Sequence, residues 1–199
     1  EVLNWFEESA KQKYNPLFPY KGQKNKIESR NKNGEIIRGN GGTSKTWNNY
    51  QKITDIVYND NKTSDLINFH EKVFISELNQ ESAKYSYLIA KEKREQSIAK
   101  RKPLFETTYF REFPITIVAV GHYVRDFNVN LEELFGVVYS HELSAVNSNG
   151  LKNEFINIHF DSIEKPTRLL IHTNQLSMVS NELVNKVGEV CSVFINNKI

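Results

Sequence analysis

"NEFINIHFDSI", Asn153 to Ile163, alternates apolar and polar residues from Ile156 to Asp161. Successive side chains of an extended chain point to opposite faces. Phe155, Asn157, His159 and Asp161 therefore share one face, and Ile156, Ile158 and Phe160 share the other. The second set is suited to a core. The first carries an amide, an imidazole and a carboxylate, so the stretch reads as a strand with one apolar and one chemically active side.

Downstream, "TRLLIHTN" (Thr167–Asn174) follows Pro166 and reads as another strand. "SNELVNKVG" reads as a linker or helical turn ending at Gly188, and "EVCSVFINN" as a last strand. Upstream, "TTYFREFPITIVAVGHYVRDF" (Thr107–Phe127) is rich in β-branched and aromatic residues and breaks at Gly121. "LFGVVYSHELSAV" admits two readings: a strand, or a helix capped by Asn130 with Glu133 completing a capping box. Roughly five strand candidates with one helical connection fit a small antiparallel barrel resembling the oligonucleotide-binding architecture.

Before Pro103 the period is helical. Val2 to Lys13 forms an amphipathic segment that "YNPLFP" ends. A second helix runs from Lys45 to Tyr58 behind a cap at Thr43, Ser44 or Thr46. A third opens at Thr63 or Ser64 and extends toward Lys102, with Asn79–Ser82 as the place for a break. Residues 20–46 are basic and irregular, and Asn33-Gly34 supplies a hairpin turn. The expected fold is α+β: a helical basic region over 1–102 with a hairpin or loop at 20–46, then an antiparallel β-rich region over 103–199. The two can equally form one continuous domain.

Charged residues make up 25% of the 199 and hydrophobic residues 39%, the balance of a globular protein. The single cysteine, Cys191, excludes an internal disulfide and sits in an apolar context where it reads as buried and inert. An oxidised compartment is neither indicated nor excluded, and an intracellular location is the expectation. No apolar run approaches the ~20 residues of a membrane helix, so membrane insertion is not expected.

Charge is unevenly spread. Residues 1–102 hold 19 Lys and Arg against 13 Asp and Glu, a balance of +6. Residues 103–199 hold 7 against 11, a balance of −4. A basic half suggests a polyanion partner. The residues placed to contact nucleic acid are Lys21, Lys24, Lys26, Arg30, Arg38 and Lys45, with Trp47 to stack on a base. Arg94, Lys100 and Arg101 of "KEKREQSIAKRK" add a basic helix end. "GNGGTSK" lacks the Gly-Lys-Ser/Thr ending of a phosphate loop and the spacing of a dinucleotide motif.

The leading expectation is thus a binding module without catalytic residues or cofactor, contacting nucleic acid through the basic loop and the helix end. A protein–protein interaction subunit of a larger assembly is the alternative, and it requires exposed aromatic patches. The third reading is a metal-dependent hydrolase. Four of the five histidines fall after residue 103, and His159, Asp161 and His172 could cluster as metal ligands or acid–base groups.

Overall fold

The computed structural model describes residues 32–33, 45–58, 67–81, 88–144 and 154–197. The expected Val2–Lys13 helix, most of the 20–46 hairpin and the Thr63/Ser64 helix start lie outside these residues. Helix α1 spans Lys45–Val57. A single 3₁₀ turn, Phe69–Glu71, follows. Then come α2 (Lys91–Phe105), the short α3 (Thr108–Arg111) and strand β1 (Ile115–Ala119). Two short helices, α4 (Tyr123–Asp126) and α5 (Leu131–Phe135), lead to β2 (Val138–Ser144). β3 (Phe155–Phe160), β4 (Leu169–Thr173) and the long α6 (Asn181–Asn196) complete the order. The α+β class holds.

The four strands form one open sheet in the order β1-β4-β3-β2. β2, β3 and β4 run as an antiparallel meander, while β1 lies parallel to β4. The expected small barrel is thus replaced by an open, mixed sheet. β1 and β2 end up parallel on opposite edges, so the chain between them must cross a sheet face. That crossover, Val120–Val137, determines where the site lies.

The alternation of β3 sorts the sheet into two sides as expected. Ile156 and Ile158 share a core with Leu169 and Ile171 of β4, all almost fully buried. α6 covers this face with Leu183, Val184, Val187 and Cys191, and α1 adds Ile53. Each such buried aliphatic side chain is worth roughly 1.5–3 kcal/mol relative to exposure. Cys191 is fully buried, and burial pushes its thiol up to about 12.

α6 corrects the expected last strand. Its buried positions, 183, 184, 187, 188 and 191, follow helical spacing. Ser180 accepts the Leu183 N–H as N-cap, and Glu154 in turn accepts the Ser180 N–H at 2.7 Å. Gly188 does not end the helix. It lets α1 approach: a Cβ placed there would meet Ile56 Cδ1 at 2.9 Å and Ile56 Cβ at 3.0 Å.

The long third helix is also corrected. Residues 72–81 are non-helical, and α2 begins only at Lys91. α2 then runs through Pro103 to Phe105, across the 102/103 boundary. The 3₁₀ turn is tied to α1 by Gln51, which is nearly buried; its Oε1 accepts from the backbone N–H groups of Asn68 and Phe69, both at 2.7 Å. Both readings of 130–144 occur in succession. Asn130 Oδ1 accepts the Glu133 N–H at 3.3 Å and starts α5. Gly136, with φ +60°, ends it, and the strand follows. Among the described residues no helix is long and apolar enough to cross a membrane.

Candidate ligand-binding cleft

The second sheet face is divided. Over β1 and β4, Val118 and Leu170 are packed by Ile98 and Phe105 of α2 and by Leu131, Leu134 and Phe135 of α5. Over β3 and β2 no described residue covers the face, and a cleft of about 560 Å³ lies there. Its floor is the polar side of the strands: Asn157 and His159 with Phe155 on β3, His172 on β4, Tyr139 and Glu142 on β2. Its rim is the crossover, with Gly121, His122, Arg125, Asn130 and Glu132.

Two histidines that the sequence placed on neighbouring strands do meet here. In the β3/β4 register, Asn157 faces His172 and Leu170 faces His159, so the imidazoles are diagonal neighbours on one face. His172 Nε2 lies 2.8 Å from the Gly121 carbonyl oxygen. A carbonyl only accepts, so this nitrogen carries the proton. Burial holds the His172 pKa below its ordinary value, and the nearby His159 and His122 push it the same way.

His159 is 6% exposed, and its buried Nδ1 makes no well-aligned hydrogen bond among the described residues. The Tyr139 ring meets the imidazole edge-on at 5.5 Å. Burial again lowers the pKa, against the pull of the Glu132 carboxylate and of the nearby backbone of Asn157 and Leu170. Both imidazoles are thus neutral near pH 7. A buried polar atom without a partner costs on the order of 1–3 kcal/mol; Asn48 Oδ1 and the Nε atoms of Arg94, Arg101 and Arg111 are in the same position, but His159 Nδ1 belongs to a ring that lines the cleft.

Asp161 does not join the histidines. It lies one residue beyond β3 and is captured by the turn to β4. Its carboxylate accepts the backbone N–H groups of Thr167 and Arg168, each at 2.8 Å, together with the Thr167 hydroxyl. Burial opposes its ionisation, but these bonds and the Arg168 guanidinium hold its pKa down to about 2. Arg168 also donates to the carbonyls of Phe135 and Gly136, tying the turn to the end of α5. Among the described residues no group of three His, Cys, Asp or Glu side chains is placed to hold a metal ion.

Glu142 reaches the cleft through an irregularity. The β2/β3 register shifts between Tyr139 and His141. Tyr139 pairs with His159, but Glu142 then pairs with Asn157, and His141 pairs with Ile158 on the opposite face. A bulge re-aims side chains in this way. Plain alternation from Tyr139 would have put His141 in the cleft. On the rim, Glu132 accepts the Tyr139 N–H at 2.6 Å, fixing α5 to β2. The His122 ring stacks on Phe155 at 5.8 Å.

The residues expected to contact nucleic acid are placed as follows. Lys21, Lys24, Lys26, Arg30 and Arg38 lie outside the described residues. Lys45 is exposed at the first position of α1, and Lys100 is exposed on α2. Trp47 is half-buried, edge-on to Phe69 at 6.4 Å, in a small cluster with Ile67. The Arg94 guanidinium lies 5.2 Å from the Phe127 ring. Arg101 donates to the Ser76 hydroxyl at 2.8 Å and lies 5.5 Å from the Phe105 ring. No protein-family model, no curated protein and no solved structure matches this chain.

Proposed function

We propose that this chain is a binding module for a small polar molecule held in the cleft over β3 and β2. The observation that carries this reading is His159: buried, uncharged and lining a concave surface, with a ring Nδ1 that makes no well-aligned hydrogen bond among the described residues. The cleft volume, about 560 Å³, lies in the range of roughly 300–1,000 Å³ common to small-molecule sites. The apolar half of the same face fixes the rim, and the mixed strands fix the floor. The test is an NMR titration of the imidazole ¹⁵N resonances against a panel of small metabolites. Saturable shifts at His159 and His172 support the reading. A panel that moves neither ring contradicts it.

A second reading has its own observation. Phe74 and Tyr109 are each about half exposed, at 53% and 51%, and pack edge-on at 5.5 Å. Phe113 stacks on Phe74, and Val73 and Ile75 are exposed beside it. Such a patch is the feature a protein-interaction subunit requires. Nucleic-acid contact remains a proposal resting on the +6 balance of residues 1–102. Oligonucleotide titration at several salt concentrations separates it, because phosphate contacts give a steep salt dependence.

A further inference from the structure

We infer that the ligand of the cleft is an organic cation, a molecule bearing a protonated amine; this rests on the cleft being a binding site. Among the described residues the charges lining the cleft are unbalanced. Glu132 and Glu142 contribute two carboxylates. Arg125 is the lining cation, but its Nε and Nη2 both donate to Asp126, at 2.9 and 2.8 Å. That pair cancels and leaves the two carboxylates. An anionic ligand would have to approach both of these exposed carboxylates, and like charges repel.

The remaining groups favour the same class. An ammonium has hydrogen-bond donors and no acceptor. A carboxylate at Glu142 that has no partner among the described residues is complementary to it, and the neutral imidazoles beside it add no opposing charge. The rings of Tyr139, Phe155 and His122 add aromatic surface around the same space. Aromatic faces attract cations. Glu132 already accepts a backbone N–H, which leaves Glu142 as the principal counter-charge.

The experiment compares probes that differ only in charge: tyramine, tyrosol and 4-hydroxyphenylacetate, then putrescine, 1,4-butanediol and succinate. Each is titrated near pH 7 at low salt, reading Kd from the imidazole resonances of His159 and His172. An ammonium probe is expected to bind about tenfold more tightly than its hydroxyl counterpart, and the carboxylates are expected not to bind. Glu142→Gln, at an exposed position, is expected to keep the amide spectrum of the fold and weaken the ammonium probes about fivefold or more. Carboxylate binding equal to or tighter than ammonium binding overturns the inference. So does an unchanged Kd in Glu142→Gln, or binding of the hydroxyl probes alone; in these cases the cleft reading survives. Silence of both rings toward all six probes counts against the cation and the cleft together.

Discussion

The His172 imidazole of β4 donates to the carbonyl of Gly121, at the start of the crossover, across 2.8 Å. Gly121 has φ +58°, and its N–H is bound by Thr173 O at 3.0 Å. The chain leaving β1 is therefore clamped to β4 twice, at the point where it turns to build the rim. His172→Ala removes one clamp and leaves a carbonyl at the cleft edge. The expected loss is about 1–2 kcal/mol of unfolding free energy by urea titration. Rim amides from Gly121 to Asp126 should also exchange hydrogen faster.

Both cleft imidazoles titrate below their ordinary value when folded, because burial disfavours the charged ring. In the unfolded chain they take protons near pH 6.5. Below that pH the unfolded state binds more protons than the folded one, so stability falls as pH drops from about 6.5. The double variant His159→Gln, His172→Gln should flatten this fall. Urea midpoints at pH 7.0, 6.0 and 5.0 check it; an equal slope in the variant would assign the acid sensitivity to other groups.

Asp161 has the opposite sign. Its folded pKa, about 2, lies below the unfolded value of roughly 3.9. Its stabilisation is complete above about pH 5 and is lost as pH falls through 4 toward 2. Asp161→Ala should cost about 1–2 kcal/mol, since it leaves the exposed Thr167 N–H and hydroxyl and the half-buried Arg168 N–H without their acceptor. Ligand affinity per folded molecule should be unchanged, because the carboxylate serves the turn rather than the cleft.

Gly188 makes a prediction about helix packing. An alanine there gains about 1 kcal/mol of helix propensity. It also drives a methyl to 2.9–3.1 Å from three Ile56 carbons, one of them Cβ, which cannot swing aside. Overpacking of this kind costs roughly 1–3 kcal/mol, so Gly188→Ala should be net destabilising by about 1 kcal/mol. Adding Ile56→Ala should remove most of the Gly188→Ala penalty in a double-mutant cycle. Additive effects would mean that α1 and α6 are not in that contact.

Much of the floor of the cleft was legible in the sequence. Alternation in "NEFINIHFDSI" separates Ile156 and Ile158 from Asn157 and His159, and the same logic carries His172 onto the matching face of β4. Asp161 fits that alternation too, yet it lies past the end of the strand, where turn amides capture it. Glu142 was hidden because one bulge exchanges it with His141, and periodicity assumes no bulge. α6 was hidden because its β-branched residues and Gly188 imitate a broken strand, while the close approach of Ile56 that requires the glycine is non-local. The crossover that makes the rim depends on β1 pairing with β4 rather than with β2, a choice no local pattern encodes.

His159 is kept either for a ligand or for the fold. His159→Leu replaces a buried ring whose Nδ1 makes no well-aligned hydrogen bond by an apolar side chain of similar bulk, and unfolding of this variant by urea measures the difference. If the ring awaits a ligand, the variant should be as stable as the parent or up to about 1–2 kcal/mol more stable, because an unmet polar group has been removed. A loss of more than about 1 kcal/mol would show that His159 holds the structure together, and the cleft would lose its central argument.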